Sequence, residues 1–245
     1  MSAMNKFLVG VAAAALLALS QQAQATLIIS FDIGGTTGTC IDNAACDSNP
    51  AVGTLALPNQ TINGVQVNGN VSIATMGAAN ILDTSSLQIV NNSGSNKQIT
   101  FTVSATNFTG PVNAFNTSGS GTFEVAVGSN ILLQFWNDPN NQQGADSGVA
   151  DHPGTLIDSF SHTATLVADS FSHNNTGPIT DPALFSMTEE ASGLLTNGGS
   201  LVNRGQTEIK FQQPVPEPSS LLLLATGLLG AGVMLRRRRN TNGKA

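Results

Sequence analysis

Asp158-Ser159-Phe160-Ser161-His162 returns eleven residues later as Asp169-Ser170-Phe171-Ser172-His173, the one pattern in this chain that repeats a carboxylate and an imidazole at fixed spacing. On a strand, residues two and four apart share a face, so Asp, Phe and His of each copy project together. Such a set could bind zinc or poise an imidazole for proton transfer. Zinc would want a third converging ligand, and the only other histidine is His152. Serine nucleophile chemistry lacks its setting too, because Gly119-Ser120-Gly121 is not a Gly-x-Ser-x-Gly elbow. The expectation is therefore structural: two similar strands with Phe in the core and Asp and His at the rims. No catalytic residue is assigned, and the chain is read as a non-enzyme.

A second cluster follows the single tryptophan, Trp136. Asp138-Pro139-Asn140-Asn141-Gln142-Gln143-Gly144-Ala145-Asp146, with Asp151 beyond it, is dense in the hard oxygens that calcium prefers. Asp138, Asn140 and Asp146 are the candidate metal ligands, with Ca2+ the only cofactor admitted and none required. The loop is not an EF-hand, since Gly144 falls one position late and no Glu closes it. A lesser oxygen cluster, Asp42, Asn43, Asp47 and Asn49, surrounds Cys40 and Cys46, the only cysteines. In an oxidising compartment these two are expected to form a disulfide, worth about 2 kcal/mol by loop entropy and so a local pin. Trp136 could stack on a sugar ring if exposed, but a lone Trp at a strand end is read as core.

The elements that would carry these groups are short strands. Thr, Ser, Asn, Gly and Val dominate, helical periodicity is nearly absent, and turn residues recur every eight to twelve positions. Asn68-Gly69, between Val65-Gln66-Val67 and Val71-Ser72-Ile73, predicts a hairpin with a type I′ turn. Leu87–Val90 and Ile99–Val103 are expected to pair across the polar loop Asn91–Asn96. Phe123–Val127 and Ile131–Trp136 alternate similarly. Further strands are expected at Leu156–His162, Ala164–Phe171, Phe185–Thr188 and Glu208–Phe211, with a helical turn at Glu189–Leu195. Half-apolar strands need a covering sheet, so the fold class is all-β: an antiparallel β-sandwich, jelly-roll or Greek-key like, flanked by an N-terminal signal helix and a C-terminal transmembrane helix. A β-solenoid would show a fixed-period repeat, which is lacking.

Both ends of the chain read as addresses. Lys6, the apolar Phe7–Leu19 and Ala23-Gln24-Ala25 have the order of a secretory signal peptide, residues 1–25, leaving Thr26 as the mature N-terminus. At the other end Pro216-Glu217-Pro218 precedes an uncharged run, Leu221–Leu235, then Arg236-Arg237-Arg238-Arg239. From Ser219 to Leu235 a helix spans about 25 Å, a short transmembrane segment. The arginines are expected to stay cytoplasmic, with everything before Pro216 outside. These three parts in this order resemble the PEP-CTERM sorting signal of Gram-negative bacteria. The resemblance implies recognition by an exosortase, cleavage near Pro-Glu-Pro, and passage to the cell surface or the extracellular polysaccharide (biofilm) matrix. The layout is then signal 1–25, exported domain 26–213, sorting signal 214–239 with transmembrane helix 221–235, and cytoplasmic tail 240–245.

The exported part holds three bases, Lys97, Arg204 and Lys210, against fourteen acids, a formal balance of −11. That disfavours nucleic acid and anionic lipid surfaces as partners and is compatible with divalent cations or neutral polysaccharide. The expected partners are an exosortase, the membrane as a transient anchor, and exopolysaccharide. The reading is an exported cell-surface or extracellular-matrix protein, passing through an inner-membrane intermediate, with an adhesive or structural body. The alternative is a secreted carbohydrate-binding module or hydrolase on the same anchor. A hydrolase would show two carboxylates about 5–9 Å apart beside an exposed aromatic.

Overall fold

The computed structural model describes residues 26–76, 79–181 and 183–211. Within them the chain forms twelve strands: β1 (Leu27–Ile33), β2 (Thr36–Ile41), β3 (Thr54–Ile62), β4 (Val65–Met76), β5 (Ala79–Asn91), β6 (Lys97–Phe108), β7 (Val112–Glu124), β8 (Asn130–Asp138), β9 (Thr155–Thr163), β10 (Ala168–Asp181), β11 (Phe185–Leu195) and β12 (Ser200–Phe211). The predicted signal helix and the whole unit from Gln213 onward, with the predicted transmembrane helix, lie outside the described residues. No described helix is long and apolar enough to cross a membrane.

The strands make two six-stranded sheets, sheet A in the order β2-β1-β6-β11-β8-β9 and sheet B in the order β10-β7-β12-β5-β4-β3. Every pairing is antiparallel. From β5 to β12 each connection except β8 to β9 crosses between sheets, which is the jelly-roll course. The hairpins β1–β2 and β3–β4 widen sheets A and B beyond β6 and β5.

Alternation sends one side of each strand inward. On β12, Leu201, Asn203, Gly205, Thr207 and Ile209 are buried while Val202, Arg204 and Lys210 are exposed. Phe123, Phe135, Phe185, Leu82, Ile89, Leu133, Met187 and Leu201 are among the fully buried side chains between the sheets. Each stabilises the fold by roughly 1.5–3 kcal/mol relative to an exposed position.

Four local expectations are corrected. Asn68-Gly69 lies inside the unbroken β4, and the turn falls on Asn63-Gly64, with φ of 49° and 79°. Val65, Val67 and Val71 are all buried, and only a strand running through Gly69 keeps them on one face. Leu87–Val90 and Ile99–Val103 are strands, but Asn91–Asn96 carries the chain from sheet B to sheet A, so they do not pair. Glu189–Leu195 is strand and not a helical turn, because Met187, Glu189, Gly193 and Leu195 keep a two-residue period whose core positions include a carboxylate. Similarly, β7 ends at Glu124, and Val125 (φ 50°) and Gly128 (φ 85°) turn the chain into the other sheet before β8.

Cys40 and Cys46 form a disulfide, with Cα atoms 5.8 Å apart, at the root of the loop between β2 and β3. The connections at the opposite end of the sandwich support one another: Asn92 N donates to Gly64 O, and Gly94 N to Asn197 Oδ1. A Cβ on Gly64 would stand 2.6 Å from Ser93 Cα, whereas one on Gly35 (φ 87°) would meet nothing within 4 Å. Gly35→Ala is expected to cost about 1 kcal/mol, conformational strain alone, and Gly64→Ala about 3 kcal/mol, strain plus a displaced backbone. Urea unfolding of the two variants measures the difference.

Candidate functional site

The repeated pentapeptides sit on β9 and β10, the edge strands of the two sheets on one side of the sandwich. Their inward rows, Asp158-Phe160-His162 and Asp169-Phe171-His173, face each other in opposite directions. His173 Nε2 lies 2.7 Å from Asp158 Oδ2, and His162 Nε2 lies 3.2 Å from Asp169 Oδ1. Between the two pairs the rings of Phe160 and Phe171 meet at 5.9 Å. Phe160 stacks on His173 at 4.7 Å, and His162 lies against Phe171 at 5.4 Å. A motif with acid at one end and imidazole at the other is complementary to its own antiparallel copy, so the duplication builds a pseudo-two-fold clasp.

The clasp's chemistry is already spent. Asp158 also accepts from Thr117 Oγ1 (2.5 Å) and Asn175 Nδ2 (2.9 Å), using both oxygens. Burial raises the Asp158 pKa, but the bonds from Thr117, His173 and Asn175 outweigh it and hold the carboxyl below its ordinary range. Asp169 is held low chiefly by the Thr165 N–H at 2.8 Å. Ser159, Ser161, Ser170 and Ser172 all point outward, away from the imidazoles. Among the described residues no three His, Cys, Asp or Glu side chains gather as a metal set. The phenylalanines face inward as anticipated; the crosswise pairing was missed, although the inverted polarity of the repeat was its signal.

The oxygen-rich loop turns its ligands on itself. Asp138 is 1% exposed; its Oδ1 accepts from Asn140 N and Nδ2 (3.0 and 3.2 Å) and its Oδ2 from Gln142 N (2.9 Å). Asp146 Oδ1 accepts from Ser147 Oγ at 3.0 Å. Around the disulfide, Asp47 accepts from the amides of Asn43, Asn49 and Ala56, which overcome its burial and lower its pKa, and Asp42 accepts from Gly53 N. These carboxylates shape loops, as Asx turns do.

The loop between β8 and β9 lies over the outer face of sheet A. Ser30 Oγ donates to Ala145 O (2.5 Å), Thr102 Oγ1 to Val149 O (2.7 Å) and Ser186 Oγ to Gln142 O (2.6 Å), while Gly144 N donates to Ser104 Oγ (3.0 Å). At its far end His152 stacks on Trp136 with centroids 4.0 Å apart and planes 1° from parallel, and its Nε2 is 2.7 Å from Glu190 Oε2. Trp136, only 8% exposed, is thus buried beneath the loop rather than between the sheets.

One group escaped sequence reasoning altogether. Glu189 is buried in the core, accepting from Thr207 Oγ1 (2.7 Å) and Thr84 Oγ1 (3.0 Å). Gly205 opposite leaves it room, since a Cβ there would stand 3.2 Å from Oε2. Burial pushes its pKa up to about 8, so it is neutral at pH 7 and has a proton to donate. Asn203 Oδ1, buried and without a partner, lines the same cavity of about 30 Å³. A space of that size admits one water.

Residues 214–239 match the PEP-CTERM protein-sorting motif, which covers Pro216, Glu217, Pro218 and Arg236–Arg239. The chain therefore carries the sorting signal of an exported protein. A comparison with curated proteins finds no match. Among solved structures, the body is similar to TmCBM61 in complex with β-1,4-galactotriose (10% identity, 61% of this chain and 90% of that one, TM-score 0.32). It is also similar to the CBM22-1 xylan-binding domain of Paenibacillus barcinonensis (11%, 66% and 89%, 0.26). A third likeness is to the K1 cleaved adhesin domain of Lys-gingipain from Porphyromonas gingivalis (9%, 65% and 99%, 0.29). Scores this low carry no inference about the body's ligand.

Two measurements test the site. Glu189 ionises near 4.5 when unfolded and near 8 when folded, so the unfolded chain holds fewer protons between those values and stability falls as pH rises through them. Glu189→Gln should flatten the pH dependence of unfolding between about pH 5 and 8 and leave the variant more stable than the parent at the upper end. Separately, a double-mutant cycle of Asp158→Asn and His173→Gln should give a coupling of about 1–2 kcal/mol, read by thermal or urea unfolding.

Proposed function

We propose that this chain is an exported surface or matrix protein, held briefly in the inner membrane by Leu221–Leu235 and released by an exosortase that cuts near Pro216-Glu217-Pro218. The observation that carries the reading is the three-part tail matched over residues 214–239. Each part has a physical task. The prolines flanking Glu217 keep that segment extended, the form a protease cleft accepts. Four arginines fix the cytoplasmic side. A helix a few Å short of the bilayer's apolar thickness is a modest anchor, suited to a temporary stay.

The body is read as a binding or structural module rather than an enzyme. Each of the three histidines is tied to a carboxylate. Trp136 is covered, and the exposed large hydrophobics among the described residues are all aliphatic. Those placements support a non-catalytic role, since among the described residues no exposed aromatic side chain offers the platform that the hydrolase alternative would use. The Cys40–Cys46 disulfide suits life outside the cytoplasm.

Intact mass of the protein recovered from cells tests the reading. With a functional exosortase the mature form should begin at Thr26 and lack Arg236–Arg239. The Pro216→Ala, Pro218→Ala double variant, or the parent in an exosortase-deficient host, should stay membrane-bound with the arginines retained. Release of the double variant at the parental rate would favour a plain anchor with no sorting enzyme.

A further inference from the structure

We propose that the outer face of sheet B carries a groove that binds an uncharged, hydroxyl-rich polysaccharide chain. The groove measures about 270 Å³, is open to solvent, and is lined by side chains from four successive strands: Ser172 on β10, Ser118 and Ser120 on β7, Arg204 and Gln206 on β12, and Asp83 on β5. Register sets them side by side. Ser120 pairs with both Ser172 and Arg204, and Gln206 pairs with both Ser118 and Asp83. At a strand spacing of about 4.8 Å the row extends roughly 14 Å across the sheet.

Three observations set this row apart from an ordinary wet surface. First, the groove row differs from the covered part of sheet A's outer face. The hydroxyls of Ser30, Thr102, Ser104 and Ser186 on sheet A are all engaged with the β8–β9 loop or its neighbours. Among the described residues, the side chains of Ser118, Ser120, Ser172, Arg204 and Gln206 make no hydrogen bond, and nothing described lies over them. Second, β5 has one residue more than both of its neighbours at this level, with register shifts between Asn70 and Ser72 of β4 and between Asn203 and Gly205 of β12. Such a bulge bends the sheet and re-aims side chains, and bulges concentrate beside binding sites. Third, the row mixes donors and acceptors. Arg204 supplies donors only, Asp83 acceptors only, and the serines and Gln206 both.

That mixture defines the ligand class. Sugar hydroxyls donate and accept, as the row does. Asp83 and Arg204 offset each other within the groove, while the surrounding body at −11 repels polyanions. The one aromatic residue along the groove is His173, whose ring is already held by Asp158 and stacked on Phe160, so recognition rests on hydrogen bonds, and apolar ligands gain little there. A volume at the low end of ligand sites, on an open face, fits a few units of a chain lying across the strands rather than an enclosed small molecule.

This inference rests on the export reading, since the body must meet polysaccharide outside the cell, but the two are measured separately. Protein expressed from the full chain in a host with a functional exosortase is run in native gels containing dextran, galactan, mannan or xylan, with alginate as the polyanion. At least one neutral polymer should retard it. Arg204→Ala and Gln206→Ala should each weaken retardation about tenfold. Ser120→Trp, which fills the groove, should abolish it, and Gln66→Ala, exposed on β4 beyond the groove, should leave it unchanged. Parental melting temperatures establish that the variants are folded. Retardation by none of the neutral polymers, by alginate alone, or equally of parent and Ser120→Trp overturns the proposal. Intact mass reports the tail in the same preparations: an uncut tail on a protein that binds ends the sorting reading and leaves the groove standing. A cut tail on a protein that does not bind does the reverse.

Discussion

A two-sheet sandwich has four faces, and packing satisfies only the inner pair. In this protein both outer faces are rich in serine and threonine, so each must find partners for its hydroxyls or leave them to water. Sheet A takes the first course: the long β8–β9 loop lies across it, and Ser30, Thr102 and Ser186 each donate to a loop carbonyl. Its one large aromatic, Trp136, is covered by His152, which Glu190 holds at 2.7 Å. On sheet B, Thr122 and Ser170 bond each other and Ser85 donates to Asn70 O, but the row of Ser118, Ser120 and Ser172 takes the second course and is free to meet a ligand. The asymmetry between the faces, more than any single residue, separates the supporting side of the molecule from the recognising side.

The open side of the sandwich presents a related difficulty. Edge strands of stacked sheets leave a seam through which water reaches the core. At the β9–β10 side the seam is closed by side chains, with Phe160 and Phe171 at its centre and an Asp–His pair above and below. Ordinary apolar residues could close it, but charge-bearing ends also fix the register, because only one antiparallel alignment places both acids against both imidazoles. A one-residue slip would turn Asp, Phe and His of one strand to solvent.

The fold class was legible in the sequence because it depends on local signals: two-residue alternation, turn residues and the want of helical periodicity. What was illegible depends on distant partners. Asn63-Gly64 and Asn68-Gly69 are chemically the same turn signal, and only burial of Val65, Val67 and Val71 against the opposite sheet selects the first. Read locally, Glu189 falls in a helical turn, and a carboxylate at a core strand position is costly. Its acceptability rests on Thr84, on Thr207 and on the missing side chain of Gly205, from two strands of the other sheet. The pentapeptide repeat announced that two strands were alike but not that they would face each other. The polar row on sheet B is assembled one or two residues at a time from four strands, so no stretch of sequence displays it.

Titration and recognition then follow from the same placements. Asp158, with its pKa held below the ordinary range, adds stability that is present above its unfolded pKa and lost as pH falls through its folded one. Glu189 works in the opposite sense, its burial weighing more heavily as pH rises from about 4.5 toward 8. Together they favour the fold in mildly acidic surroundings. A groove that relies on hydrogen bonds in open water binds weakly at each site, because every bond formed replaces one to solvent. Weak sites become useful when many are presented together, since a second contact on the same polymer is then intramolecular. Such a groove gains most from a chain that is delivered in numbers to a surface or matrix, where one polysaccharide strand can meet several copies at once.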